Sequence, residues 1–392
     1  MAIPSQLPPL SLYVHIPWCV RKCPYCDFNS HQPSGELPVD AYVAALQADL
    51  REDAERARGR RLTSVFFGGG TPSLFPASAI GRILETAEDC IGFADRCEIT
   101  LEANPGTAEF DHFSGYLQAG VNRLSMGVQS FDDGMLQRLG RIHSAQEAHR
   151  AFALAREAGF NNINLDLMFA LPRQTPEQAM ADLQTACELQ PEHLSWYQLT
   201  IEPNTEFYSR PPTLPDDDCA WDIQQQGQVL LAARGYAGYE VSAYAQPGRQ
   251  AAHNLNYWQF GDYLAAGAGS HGKITSDITH GHADVMRYQR TRLPRHYLDA
   301  SARGLSTCAD SSQVTAEQLA FEFMMNALRL HSGVPVEFFQ QRTGLSIERI
   351  STVIRQQVDA GLLVDDPEKL QPTALGQQFL NSLLEAFLPG SG

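Results

Sequence analysis

Cys19-Val20-Arg21-Lys22-Cys23-Pro24-Tyr25-Cys26 sets three thiols in the order C-x3-C-x2-C, directly behind a short apolar run from Leu12 to Ile16. Three thiolates can hold three irons of a [4Fe-4S] cube and leave the fourth iron open to a small molecule, whereas an electron-transfer cluster normally has all four irons covered by protein. The spacing therefore points to chemistry at an open iron. A zinc site completed by His15 or His31 is the alternative, although zinc knuckles more often pair two C-x2-C halves and no second pair exists here. The remaining cysteines, Cys90, Cys97, Cys187, Cys219 and Cys308, are scattered and read as small apolar residues.

A chain of 392 residues exceeds what one hydrophobic core usually organises, so two domains are expected, over residues 1–305 and 306–392. An apolar content of 43% supports a well-packed globule. The opening residues carry no basic-then-apolar leader, no apolar run reaches spanning length, and metal-binding thiols need a reducing compartment. A cytoplasmic protein with at most peripheral membrane association is the expectation. A formal charge of −16 repels nucleic acid, so no nucleic-acid partner is expected.

Through the first two thirds, short β-branched or aromatic runs alternate with helical stretches. Strands are expected near Leu12 to Ile16, Ser64 to Phe67, Glu98 to Glu102, Asn122 to Met126, Ile163 to Met168 and Leu194 to Thr200. Between them, Asp40 to Arg58, Ala77 to Cys90, Ser144 to Ala158 and Pro176 to Leu189 carry helical periodicity. Repeated strand-helix-strand units imply parallel pairing with right-handed crossovers, hence an α/β fold with a partial (β/α)6 barrel, open on one side where eight units would close it.

In such a barrel, function concentrates at the C-terminal ends of the strands. Gly68-Gly69-Gly70-Thr71-Pro72 follows the strand ending at Phe67; glycines there let the backbone approach a ligand and offer its amides, unless the run is only a tight turn. Glu102 ends the third strand, Gln129 follows the fourth, and Asp166 lies in an otherwise apolar fifth. Taken singly, each could be a cap or a buried ion pair, but their recurrence at strand ends favours ligand contact.

With those residues in view, the chain resembles the radical S-adenosylmethionine (SAM) superfamily. Leu12-Tyr13-Val14-His15-Ile16-Pro17-Trp18-Cys19, the Gly68–Pro72 turn, Leu101–Gly106, Arg123–Phe131, Gly140-Arg141 and Asp166–Glu177 narrow this to the oxygen-independent coproporphyrinogen III oxidase family and its relatives. The resemblance implies that Cys19, Cys23 and Cys26 ligate a [4Fe-4S] cluster and that SAM chelates its open iron. It places Tyr13, Gly69 and Glu102 at that SAM. Tyr25, Gly70, Thr71, Gln129, Arg141 and Asp166 would line a second SAM position in the decarboxylase.

One departure matters. The decarboxylase branch carries a further cysteine two residues after the third, where this chain has Phe28. Phe28-Asn29-Ser30 instead resembles the sibling HemW branch, whose members bind heme and pass it to acceptor proteins. His253-Asn254-Leu255-Asn256-Tyr257-Trp258 reads as H-N-x-x-Y-W, which is similar to a motif of that branch. An imidazole can serve as an axial iron ligand and the two aromatics can pack on a porphyrin face, so His253 is the expected heme ligand; an ordinary packed loop is the alternative. His271, in the small-residue run Gly267 to Gly272, reads as structural, and His280 and His282 read as exposed loop.

Beyond about Leu305, helices at Ala316 to Leu330, Ile347 to Leu362 and Thr373 to Phe387, with a turn at Asp365-Asp366-Pro367, suggest a small winged-helix-like domain. From Asp310 onward, five Lys plus Arg stand against ten Asp plus Glu, which argues against phosphate contacts. The resemblance thus implies a heme chaperone with heme and apo-hemoproteins as partners. Coproporphyrinogen III dehydrogenase is the alternative, and the absent cysteine at Phe28 speaks against it.

Overall fold

The computed structural model describes residues 7–106, 112–279 and 281–389, so His280 lies outside the described residues. Six strands run parallel in chain order: β1 (Leu10–Ile16), β2 (Leu62–Gly69), β3 (Phe93–Ala103), β4 (Arg123–Gln129), β5 (Ile163–Phe169) and β6 (His193–Gln198). Helices cover the outer face of this sheet, and a parallel strand covered on both faces must be apolar at nearly every position. β1 is buried along its length with only Tyr13 part-exposed, and its polar Ser11 is satisfied by Ser64 at 2.7 Å.

The crossover helices begin where their sequence dictates. Ser144 and Thr175 each accept a hydrogen bond from the backbone three residues on, while Glu147 and Gln178 reach back to close a capping box. The helix Ala77–Cys90 has the expected ends.

The sheet continues past both ends of the barrel. β7 (Ala237–Gly238) and β8 (Ala243–Ala245) pair antiparallel beyond β6. On the other side β9 (Asp262–Ala266) pairs parallel with β1, and β10 (His271–Thr279), β11 (His282–Arg290) and β12 (Cys308–Gln313) follow antiparallel. His282 is thus a strand residue, exposed at the start of β11, and not part of a loop.

One hydrophobic core fills the barrel; a second joins the C-terminal helices to this extension, where Phe260 meets Phe323 at 5.7 Å between rings. Arg287 of β11 grips Glu322 through two nitrogens, at 2.7 and 3.0 Å from one carboxylate oxygen. The small ladder of this region pairs β13 (Val334–Pro335) with β14 (Lys369–Leu370). Two expected helices are interrupted. The one from Ile347 opens as a 3-10 turn, Ile347–Ile350, before Ser351–Asp359, and the last divides at Phe379 into Ala374–Gln378 and Leu380–Glu385. Among the described residues, no helix is long and apolar enough to cross a membrane.

The extension is clamped to the helix Val39–Ala57 by charge. Arg290, 1% exposed, reaches Asp53 at 2.8 Å, Glu52 at 3.2 Å and Asp49 at 3.5 Å. Removing one partner of such a cluster strands the others in a low-dielectric interior. Arg290→Leu is therefore expected to lower unfolding stability by about 3–5 kcal/mol, measured by chemical denaturation, whereas Arg82→Leu, at an exposed ion pair, should change it by less than about 1 kcal/mol.

Candidate functional site

The cysteine loop springs from the C-terminal end of β1 and is closed at its base. Trp18 bridges His31, the Cys19 amide donates to the His31 carbonyl at 3.0 Å, and the His31 amide donates to Pro17 at 2.7 Å. Trp18 itself is buried, stacked on Phe75 and set edge-on to Tyr42. Within the loop a turn brings the Cys26 amide to the Cys23 carbonyl at 3.1 Å.

The glycine run presses against this loop. Gly69 adopts φ +116°, and a Cβ there would collide with the His15 ring, while a Cβ at Gly70 would collide with the Trp18 backbone. The amides are largely consumed inside the protein and do not wait for a ligand: Gly70 donates to Ile16 at 2.8 Å, Thr71 to Trp18 at 2.7 Å and Gly69 to the Glu102 carboxylate at 3.1 Å. Close approach to the Trp18 backbone requires Gly70, and the His15 ring with a positive φ requires Gly69.

Cys19, Cys23 and Cys26 line a cavity of about 590 Å³ at the barrel mouth, together with Tyr25, Gly69, Gly70, Thr71, Glu102, Gln129, Arg141 and Asp166. Eight of the nine residues expected at SAM therefore line one space with the thiols. Tyr13 does not; it lines the neighbouring cavity, its hydroxyl 2.8 Å from His15 Nδ1 and its ring stacked on Phe66. Sequence reading passed over Asn104, which links the site: its amide donates to Thr71 Oγ1 at 2.8 Å and its carbonyl accepts from Arg141 at 2.6 Å. Arg141 also points at Cys23 Sγ, 3.6 Å away, placing a cation beside the thiols. The pairing of Leu101-Glu102-Ala103-Asn104-Pro105, with two polar side chains beside a proline, was the available signal.

Gln129 sits at a break in the β4–β5 register with φ +72°, unusual for a residue with a Cβ, and its carbonyl oxygen accepts from Tyr197 at 3.0 Å. Asp166 accepts from Ser125 at 3.1 Å and from Asn164 at 2.8 Å, while burial still raises its carboxyl above the ordinary range. Glu102 is pushed up to about 8 by burial and then by Asp166, against the single amide of Gly69. Burial also raises the Cys19 and Cys26 thiols, so metal binding there must displace protons.

A second cavity, about 810 Å³, adjoins the first; Asp27, Phe28, Gly69 and Glu102 line both. Tyr257 and Trp258 form part of its wall, but His253 lines neither cavity. His253 is 8% exposed, with Nδ1 3.2 Å from Glu98 and its ring against Phe66, 4.3 Å between centroids. Asn254 donates to the Tyr239 hydroxyl at 3.1 Å. The first two residues of H-N-x-x-Y-W thus moor the helix Ala252–Trp258, and the last two, one turn on, face the cavity.

A six-stranded parallel barrel with three thiols at the mouth of its first strand defines a radical SAM protein, and the Radical SAM superfamily model matches residues 13–186. The HemN C-terminal domain model matches residues 314–379. The solved structure of coproporphyrinogen III oxidase (HemN) from Escherichia coli superposes with a TM-score of 0.80 at 24% identity, covering 97% of this chain and 90% of that one. Over 387 residues the chain is 50% identical to the heme chaperone HemW of Haemophilus influenzae, covering 98% and 99% of the two chains. With the HemW of Escherichia coli it shares 51% identity over 383 residues, with the same coverage. The chain belongs to the HemW family of the radical SAM superfamily.

The raised carboxyl gives a stability test. A carboxyl that binds its proton more tightly in the folded state opposes folding as pH rises from the ordinary 4.5 towards the folded value of about 8. In the ligand-free protein, Glu102→Gln should therefore gain stability over the parent as pH rises through that window, by up to a few kcal/mol. The difference should vanish below pH 4.5; melting temperatures of both proteins across the range measure it.

Proposed function

We propose that this protein is a heme chaperone, holding heme in the cavity beside the cysteine site and releasing it to an apo-hemoprotein. The observation that carries this reading is the adjoining cavity itself: about 810 Å³, walled by Tyr257 and Trp258, and sharing Phe28 with the thiol cavity. That volume suits a large planar ligand, and the aromatic wall suits a flat apolar face. The relatives at 50% and 51% identity carry the name heme chaperone.

The donor set of the smaller cavity fits the cofactors of the superfamily. Cys19, Cys23 and Cys26 would hold a [4Fe-4S] cluster, being soft thiolate donors on one part-buried loop with no disulfide among them. Bound there with SAM, that cluster supplies one-electron reductive chemistry at the open iron. Arg141 offsets thiolate charge beside Cys23. Glu102 and the Gly69–Thr71 backbone form the wall on which the amino group and carboxylate of SAM would rest, and Asp166, Gln129 and Tyr25 line the same space. Phe28 offers no thiol where the decarboxylase has its extra cysteine. A reducing cytoplasm and apo-hemoprotein acceptors accord with this reading.

Anaerobic, reconstituted protein should bind hemin stoichiometrically and pass it to an apo-hemoprotein, followed by absorption spectroscopy. With SAM, reductant and coproporphyrinogen III it should form no protoporphyrinogen. Protoporphyrinogen appearing together with 5′-deoxyadenosine would overturn the chaperone reading in favour of an oxidative decarboxylase.

A further inference from the structure

Heme iron needs an axial donor with a free lone pair, and two imidazoles line the larger cavity, His15 and His271. His15 is already committed at both nitrogens: Nδ1 lies 2.8 Å from the Tyr13 hydroxyl and Nε2 3.0 Å from the Asn29 carbonyl. It is also the surface on which Gly69 packs, so turning it would open the cysteine loop. His253, behind the wall, is buried against Glu98, and that contact anchors the helix carrying Tyr257 and Trp258. His271 differs from both, being exposed and making no hydrogen bond through its ring among the described residues.

The backbone fixes where His271 points. It opens β10 opposite Gln289 of β11, and alternation along the strand puts His271 and Lys273 on the cavity side. Gly272 between them faces the other way, against the Tyr288 ring. Lys273 is consumed by Asp262 at 2.9 Å and Arg287 by Glu322, so neither can meet an incoming anion freely. Arg292 can: its exposed guanidinium makes no hydrogen bond or ion pair among the described residues and sits on the same cavity wall. Partial burial and the nearby Arg287 keep the His271 imidazole below its ordinary range, hence neutral at pH 7.

Resting on the heme-chaperone reading, we propose that His271 is the axial ligand of heme bound in the larger cavity, that Tyr257 and Trp258 pack on the macrocycle, and that Arg292 pairs with a propionate. The motif histidine, His253, then acts as a positioning residue through its helix.

The test uses the full chain, with its cluster in the oxidised, EPR-silent state, titrated with hemin and followed by EPR and resonance Raman spectroscopy of the ferric heme. His271→Ala should lose the imidazole-ligated signature and weaken hemin binding by about tenfold or more, a change of about 1.4 kcal/mol, and added imidazole should restore the signature. Because His271 is exposed, cluster absorption and melting temperature should stay at parent values. Arg292→Gln should keep the signature with weaker binding, and His253→Ala should keep it as well. A His271→Ala protein with parent spectrum and affinity would overturn the assignment, as would loss of the signature in His253→Ala but not in His271→Ala. In both cases hemin still binds and the chaperone reading stands; failure of the parent protein to bind hemin would overturn that reading and this assignment together.

Discussion

Everything at the barrel mouth depends on two glycines that bring the end of β2 onto the Trp18 backbone and the His15 ring. The end of β2 reaches the cysteine loop through Gly69 and Gly70, and the hydrogen bonds from Gly70 to Ile16 and from Thr71 to Trp18 form only because neither glycine carries a Cβ. The same contact seats Gly69 on the His15 ring and turns its amide to Glu102. A single steric constraint thus sets the height of the thiol loop, the orientation of His15 and the position of the Glu102 carboxylate. Asn29 completes the clamp from the other side, donating to the Ala268 and Arg292 carbonyls at 3.0 and 2.9 Å and so tying the loop to the strands that wall the second cavity.

The two cavities share Asp27 and Glu102 on their common wall but differ in the charges beyond it. Glu102 and Asp166 lie in one low-dielectric space, where burial raises both carboxyls and the Asp166 charge raises Glu102 further. A cation brought against Glu102 would reverse that balance, which makes this side receptive to a positively charged ligand. On the other side Lys273, Arg287 and Arg290 are each tied to carboxylates outside the cavity, leaving an aromatic surface with Arg292 free at its edge. Such a surface suits an apolar molecule with peripheral negative charge.

The six barrel strands were legible because each carries a short β-branched or aromatic run bounded by turn residues, as at Gly68–Pro72 and Asn104-Pro105. The extension beyond β9 was not, since it violates that pattern: β12 reads Cys-Ala-Asp-Ser-Ser-Gln and is exposed at nearly every position. Its pairing comes from β11, not from any signal of its own. At the site, residue identity was readable and facing was not. H-N-x-x-Y-W announces an imidazole and two aromatics, but only the packing of the helix against Phe66 of β2, with Glu98 of β3 beside it, turns His253 inward and presents Tyr257 and Trp258 to the cavity. Arg290 shows the same limit, because a buried cation cannot be told from a surface one until Asp49 and Asp53 are seen beside it.

Phe28 joins these threads. It is 60% exposed, unusual for a phenylalanine in a well-packed protein, and it lines both cavities at their junction. A ligand that covers its ring gains roughly 1.5–3 kcal/mol at most from the apolar surface removed from water. Since one ring borders both spaces, a ligand that covers it in one cavity changes what remains to be gained in the other, and such coupling must act equally in both directions. A thiol at this position would contribute little surface and a reactive sulfur; a phenyl ring contributes surface and no reactivity. The side chain at the mouth therefore favours holding a ligand over transforming it, and it does so at the point where the cysteine site and the second cavity meet.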